Sequence, residues 1–260
     1  MLDQYFAGQS TKVSLYFLDY TFTKVADYNI DNGDWSALKK VLKECKYDGG
    51  TRYSQIRLEQ SSTVLFFTDG ISSLSSNSLQ IPAGTVLHTI SSVATADHSY
   101  LNYIASLNSG VYVNLKSLTA SQGVHLLKTK SIRFQGVEEN VLVNEIYPLK
   151  GTLVSKNSFS ISGVSLKESN EIVLLFGPTP DNIVKKVHHT ISTQDSSTAV
   201  VDIEKIWAVK KIESMEYDYA KNKEQIELLG RKYSIVTKGT SLIVLEAVAD
   251  YIKYGITPPQ

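Results

Sequence analysis

The stretch Thr63-Val64-Leu65-Phe66-Phe67-Thr68-Asp69-Gly70 decides the fold of this chain. Its first five residues are β-branched, apolar or aromatic, and none carries a charge. A short run that is apolar at successive positions is typical of a parallel strand covered on both faces. The Asp-Gly that follows begins a loop. The sequence therefore predicts a buried strand of a parallel sheet, with Asp69 at its carboxyl end.

Strand and helix patterns alternate on both sides of this stretch. A helix is predicted from the apolar spacing of Leu38, Val41, Leu42 and Cys45, and a second helix begins at the capping residue Asp97 and ends at Gly110. Further strands are predicted at residues 13–18, 86–90 and 111–115. This alternation over residues 1–127 predicts a Rossmann-like α/β domain with a parallel sheet and crossover helices.

The pattern of apolar and polar residues changes twice after this domain. Residues 128–200 contain short apolar runs separated by Gly, Asn, Ser and Pro, without a helical period, which predicts an antiparallel β-sandwich. Residues 201–260 begin with the periodic positions Ile203, Ile206 and Trp207 and predict a helical C-terminal segment. A final strand is predicted at residues 241–245.

Composition excludes several classes of protein. The 26 Lys and Arg residues balance 26 Asp and Glu residues, so no general field attracts nucleic acid, and we predict no nucleic-acid partner. No run approaches the roughly 20 apolar residues of a membrane helix. The first residues lack the basic start and apolar core of a signal peptide, so we predict none, and the localisation stays open.

Several short strings carry a resemblance to a known family. Asn32-Gly33-Asp34, Tyr47-Asp48-Gly49-Gly50-Thr51 and Thr68-Asp69-Gly70 follow each other as in the central part of von Willebrand factor type A domains. The string at residues 108–115, NSGVYVNL, resembles the subset beside VIT domains, as in inter-alpha-trypsin inhibitor heavy chains and many bacterial surface proteins. The strings at 206–212, 229–237 and 240–246 resemble the segment that follows the A domain there.

The resemblance implies a metal-dependent adhesion site. In that family a divalent cation is held by an Asp-x-Ser-x-Ser loop, a Thr from a second loop and an Asp from a third. By position, Thr51 matches the Thr and Asp69 matches the last Asp. Oxygen donors of this kind suit Mg²⁺. Gln4-Tyr5-Phe6 resembles the last turn of the family's first helix, which implies that the first strand and its loop would lie before Met1.

One string within the chain offers an alternative to the missing loop. Asp19-Tyr20-Thr21-Phe22-Thr23 has the form Asp-x-Thr-x-Thr and follows a predicted strand. Too few residues separate Thr23 from Thr51 for the helix and two strands of the family. The other interpretation is a second strand that runs into a polar turn.

These observations predict an incomplete metal site. Thr51 and Asp69 alone leave most of the coordination shell to water, so we predict no tightly bound cofactor and at most weak Mg²⁺ binding. A parallel sheet that lacks its central strand exposes apolar edges. We therefore expect a rearranged sheet, or a homo-oligomer that covers the gap.

Two classes of function follow. The first is a non-enzymatic protein-interaction or adhesion module with an unidentified protein ligand, in which Thr51 and Asp69 are a remnant site. The second is a working Mg²⁺-dependent adhesion module that uses Asp19, Thr21 and Thr23 with Thr51 and Asp69. A hydrolase is a third hypothesis, but the sequence has no Gly-x-Ser-x-Gly elbow, and the adjacent His188 and His189 would point to opposite faces of a strand. We therefore expect no enzymatic activity.

Overall fold

The chain folds into two units, Met1–Thr198 and Ala199–Gln260, and each is considered by itself. The computed structural model describes residues 1–46, 49–75, 79–139, 141–154, 159–192 and 201–240. The strand predicted at residues 241–245, and Tyr47 and Asp48 of the Tyr-Asp-Gly-Gly-Thr string, lie outside the described residues.

The first unit contains four α-helices, one 3-10 helix (Tyr53–Gln55) and eleven strands within its described residues. The helices are α1 (Leu2–Phe6), α2 (Ser36–Glu44), α3 (His98–Leu107) and α4 (Ala120–Lys128). The first five strands are β1 (Thr11–Leu18), β2 (Phe22–Ile30), β3 (Thr63–Phe67), β4 (Val86–Ser91) and β5 (Tyr112–Asn114). The remaining strands are β6 (Arg133–Val137), β7 (Val143–Tyr147), β8 (Thr152–Leu153), β9 (Ser162–Ser165), β10 (Ser169–Gly177) and β11 (Lys185–Ser192).

The stretch at residues 63–67 forms a strand of a parallel sheet, as predicted, but the prediction that this strand is buried is wrong. It lies at the edge of its sheet, where residues 64–66 are half-buried and Phe67 is 50% exposed. The sheet has the order β3-β4-β5, and β4 is parallel to both neighbours. The predicted helix between β4 and β5 is confirmed as α3, and the Asp97 carboxylate caps it by accepting a hydrogen bond from the Tyr100 N–H. The core below this sheet gathers Tyr53, Leu87 and Leu101. Burial of these side chains holds α3 against β4.

The first strand of the chain does not belong to this parallel sheet, and this corrects the prediction for residues 13–18. Strand β1 instead forms a two-stranded antiparallel hairpin with β2. The sequence offered a second strand at this turn only as one interpretation and without bounds; Ala26, Tyr28 and Ile30 alternate with exposed polar residues, whereas the pattern is irregular at residues 23–25. The hairpin of β1 and β2 is therefore a sheet of its own, separate from β3, β4 and β5. The helical turn predicted at Gln4-Tyr5-Phe6 is confirmed as α1.

The part of the first unit after α4 is antiparallel, as predicted. One sheet has the order β11-β10-β6-β8, and a second contains β7 and β9. Phe134 of β6 is buried and lies 6.0 Å from the Phe159 ring and 5.8 Å from the Phe176 ring, between ring centroids. The face-to-face packing that a β-sandwich requires stays a prediction, as does a domain boundary near residue 127.

The second unit is helical over its described residues. Helix α5 spans Ile203–Met215, and helix α6 spans Tyr219–Tyr233, in line with the predicted helical segment. Ile212, Ile226 and Leu229 form its buried core. Within the described residues, no helix of either unit combines the length and the apolar character needed to cross a membrane.

Candidate functional site

The carboxyl edge of the parallel sheet brings together loops from distant parts of the sequence. Because β3, β4 and β5 are parallel, the residues that follow them meet at one edge. The Asp97 N–H, after β4, donates to the Asp69 backbone carbonyl, after β3, at 2.7 Å. Gly70 has a φ of +82°, and a Cβ there would lie 2.9 Å from Leu101 Cγ. Only glycine lets the chain turn this closely over α3.

The loop that carries Thr51 is bonded to the loop after β3. The Thr51 N–H donates to Ser73 Oγ at 2.9 Å, and the Thr51 carbonyl accepts from the Leu74 N–H at 3.1 Å. Two serines of the loop after β3, Ser72 and Ser73, hold the Thr51 loop in place. Thr51 therefore lies against the loop that follows Asp69 in the sequence.

A buried tyrosine that the sequence did not single out supports this contact. Tyr53 is 1% exposed, and its hydroxyl lies 2.7 Å from Thr68 Oγ1. Its ring packs against Phe66 and Tyr100, at centroid distances of 5.6 Å and 6.0 Å. Burial raises the pKa of Tyr53 to about 12, so the hydroxyl stays protonated at neutral pH. Tyr53 therefore holds the Thr51 loop against the end of β3.

The turn between β1 and β2 lies at the same edge. The Asp19 backbone carbonyl accepts from the Arg52 N–H at 3.0 Å, and the Arg52 guanidinium lies 4.3 Å from the centre of the Tyr20 ring. Asp19 Oδ1 accepts from the Thr21 N–H at 2.6 Å and from Thr21 Oγ1 at 3.0 Å, and Thr21 Oγ1 lies 3.2 Å from Thr23 Oγ1. These bonds favour the carboxylate and lower the pKa of Asp19, with the Thr21 N–H as the largest cause.

These oxygen donors do not fit a tight Mg²⁺ site. Asp69 Oδ1 already accepts from the Ile71 N–H at 2.9 Å, and one Asp19 oxygen accepts both bonds from Thr21. Nowhere in the described ranges do three His, Cys, Asp or Glu side chains converge as metal ligands would. An octahedral cation prefers more anionic oxygen than this edge offers. The weak site at Thr51 and Asp69, and the alternative at Asp19, Thr21 and Thr23, both stay predictions.

The most distinctive feature of this edge is an apolar rim. We give this name to five large apolar side chains that are each 43% to 58% exposed: Tyr20, Phe67, Ile71, Leu74 and Val93. They come from the β1–β2 turn, the end of β3, and the loops after β3 and β4. Sequence patterns did not identify the rim, because its members are isolated apolar residues in polar loops. The only sequence feature that could have indicated the rim is the presence of the apolar residues Ile71 and Leu74 among serines.

Comparisons with known proteins give little further information. Neither a protein-family model nor a curated protein matches this chain. Among solved structures, the chain is similar to VWA2, an ArnB paralog from Sulfolobus acidocaldarius, with 11% sequence identity and a TM-score of 0.40. The match covers 88% of this chain and 71% of that chain. This similarity is too low to assign the chain to a family. The resemblance to the A domains beside VIT domains, as in inter-alpha-trypsin inhibitor heavy chains, therefore stays a prediction.

Proposed function

We propose that this chain is a non-enzymatic protein-interaction module that binds a protein partner through the apolar rim. The observation that carries the proposal is the exposure of five large apolar side chains at one edge, on loops held by the Thr51 and Asp69 contacts. Large apolar side chains that are exposed together at one edge, among polar loop residues, are typical of an interaction site. Aromatic and aliphatic anchors such as Tyr20 and Ile71 are the side chains that contribute most to such interfaces.

Two side chains of the rim are held by neighbouring residues, which favours binding. Leu74 lies against Gly50, where a Cβ would come within 2.8 Å of its side chain. Tyr20 is held by Arg52. A partner therefore meets side chains that are already positioned, which lowers the entropy lost on binding.

Selection from a random peptide display library tests this proposal. The wild-type chain is used for selection, and the enriched peptides are then measured against a double variant, Ile71→Asp with Leu74→Asp. We expect affinity to fall at least about tenfold, because each anchor contributes about 1–2 kcal/mol when buried. The matched control is Val141→Asp, which changes a side chain that is 82% exposed and lies between β6 and β7. Equal binding to the two variants would refute the proposal.

The second candidate is a Mg²⁺-dependent adhesion module. It is favoured by one observation, the convergence of the Asp19, Thr21 and Thr23 side chains through hydrogen bonds. The same selected peptides separate the two candidates when their affinities are measured in MgCl2 and in EDTA. Loss of binding in EDTA and with Asp69→Ala would favour the metal-dependent module, whereas unchanged affinity supports the apolar rim alone.

A further inference from the structure

A single peptide group lies between a buried histidine and a buried arginine. The Val111 N–H donates to His88 Nδ1 at 3.0 Å. The Gly110 carbonyl, which belongs to the same peptide group as that N–H, accepts from the Arg133 guanidinium. His88 is 7% exposed and Arg133 is 3% exposed. Because a trans peptide group is planar, its N–H and its C=O point in opposite directions and move together. A displacement of the peptide group at His88 therefore reaches Arg133.

This peptide group connects the parallel sheet of the first unit to its four-stranded antiparallel sheet. His88 belongs to β4, the middle strand of the parallel sheet, and Arg133 begins β6 of the antiparallel sheet. A second bond from Arg133, of 2.6 Å to the Gly151 carbonyl, reaches the residue before β8. Glycine at position 110 permits the close approach to β4, because a Cβ there would overlap the Leu87 carbonyl. The connection thus depends on a histidine nitrogen that acts as an acceptor.

Arg133 is a buried cation without a carboxylate partner. None of the ion pairs within the described residues includes it. Burial lowers the pKa of Arg133 to about 10, so the guanidinium stays charged at neutral and acidic pH. A buried charge is costly unless hydrogen bonds satisfy it. Loss of the bond to the Gly110 carbonyl would therefore favour movement of the guanidinium towards water.

The other surroundings of His88 are apolar. His88 lies on the same face of β4 as Ile90, because side chains two residues apart in a strand share a face. Ile90 belongs to a buried cluster with side chains of β5, α4 and β8, and Leu65, the neighbour of His88 on β3, packs against it. Tyr5 of α1 is the titratable side chain of this cluster, and burial raises its pKa, so it stays neutral in acid. Among the described residues, Arg133 is the one charged group whose field lowers the pKa of His88.

We propose that a proton on His88 opens the contact between β6 and the parallel sheet, through the peptide group between Gly110 and Val111. Neutral His88 uses Nδ1 as an acceptor and carries its proton on Nε2. A second proton occupies Nδ1, which then faces the Val111 N–H as another donor. Because two donors cannot bond to each other, the peptide group turns away, and its carbonyl leaves Arg133.

The opening is local, because each sheet keeps its own hydrogen bonds. The parallel sheet is held by the bonds of β4 to β3 and β5, and the antiparallel sheet by those of β10 to β6 and β11. Local openings of this kind cost less free energy than unfolding of the whole chain. The turn before β5 lies at the amino edge of the parallel sheet, whereas the apolar rim lies at the carboxyl edge. This inference therefore does not rest on the proposed function of the rim.

The pH range of the opening follows from the two states of His88. In the closed state the pKa of His88 is about 4, whereas a hydrated histidine in the open state has a pKa of about 6.5. The open state therefore binds the proton more tightly. Closure is fully stable above about pH 6.5 and weakens as the pH falls towards 4. Between pH 7 and pH 5 the population of the open state is expected to rise about twentyfold.

Hydrogen exchange of the full chain, followed by NMR, tests this opening. Protection factors, which correct for the intrinsic pH dependence of exchange, are compared at pH 7 and pH 5. We expect the Val111 amide and the Arg133 guanidinium to lose protection about twentyfold, and the amides of Leu101 in α3 and Leu174 in β10 to change less than about threefold. Equal losses at all four groups would show that the chain unfolds as a whole and would overturn the proposal. Loss at Val111 alone, or at neither group, would also overturn it, because the proton would then not reach β6.

Two histidine variants isolate the proton. His88→Asn keeps an oxygen acceptor for the Val111 N–H but cannot take up a proton in this range. We expect the protection of Val111 in this variant to be independent of pH, whereas the exposed control His125→Asn should keep the twentyfold loss. A twentyfold loss in both variants would contradict the proposal. If circular dichroism shows that His88→Asn does not fold, His88→Gln, which also offers an oxygen acceptor, takes its place.

Two arginine variants isolate the connection to β6. Arg133→Lys keeps the positive charge but cannot bond to two carbonyls in the geometry of a guanidinium. The matched control is Arg57→Lys, since Arg57 also donates to two backbone carbonyls but is exposed. At pH 7 we expect the protection of the Val111 amide to fall about tenfold in Arg133→Lys and to stay near wild type in Arg57→Lys. Equal protection in the two variants would show that Arg133 does not hold the turn and would overturn its part in the opening.

Discussion

A buried histidine in β4 makes the stability of the chain dependent on pH. His88 is 7% exposed, and its Nδ1 accepts a hydrogen bond from the Val111 N–H at 3.0 Å. Burial lowers the pKa of His88 to about 4, and the positive charge of Arg133 acts in the same direction. Arg133 is itself buried and donates to the Gly110 and Gly151 carbonyls. A proton on Nδ1 would remove the acceptor for Val111 and add a charge beside an existing cation.

The magnitude follows from the difference between the folded and unfolded pKa values. An unfolded histidine has a pKa of about 6.5, so the unfolded state takes up the proton first as the pH falls. Stability is then fully present above about pH 6.5 and declines between about pH 6.5 and 4. His88 is buried, so solvent screens this effect little. The two pKa values correspond to at most about 3 kcal/mol of unfolding free energy, of which about 2.5 kcal/mol is lost by pH 4.5.

Urea denaturation at a series of pH values measures this loss. The free energy of unfolding is compared for the wild type, His88→Asn and the exposed control His125→Asn. The asparagine side chain in His88→Asn would keep an oxygen acceptor for the Val111 N–H but cannot take up a proton near neutral pH. We expect His125→Asn to follow the wild-type profile and His88→Asn to lose about 2 kcal/mol less on acidification to pH 4.5. Parallel profiles for wild type and His88→Asn would refute the reasoning.

Three further predictions concern the carboxyl edge. Gly70→Ala is expected to lower stability by about 2 kcal/mol or more, and Gly84→Ala by about 1 kcal/mol, because both have positive φ but only Gly70 has Leu101 in the way of a Cβ. Chemical denaturation checks this order, and equal losses would exclude a steric contribution. Asp97→Ala should lower stability by about 1 kcal/mol, because the α3 cap is lost, whereas Asp97→Asn should remain near wild type. Equal melting temperatures for the two variants would contradict this prediction. Millimolar MgCl2 should leave the melting temperature unchanged, and a rise reversed by EDTA would show a bound cation.

Local patterns were enough to predict the parallel part of the fold. Strands β3, β4 and β5 and helix α3 each have an apolar period and a clear start or stop, such as Asp97 or Gly110. The partner of β1 could not be predicted, because an apolar strand pattern shows burial and not which strand lies alongside. The hairpin with β2 is set by the tight turn at Asp19 and by tertiary packing on α1.

The candidate site was predictable only in part, for a related reason. Asp69 was placed at the carboxyl edge because the loops after parallel strands converge there, whereas Thr51 was placed there only by the family resemblance. The apolar rim was not predicted, because the exposure of Ile71 or Phe67 depends on how much of their surface the rest of the folded chain covers. Tyr53 was missed because an isolated tyrosine has no pattern, although its burial and its bond to Thr68 hold the Thr51 loop.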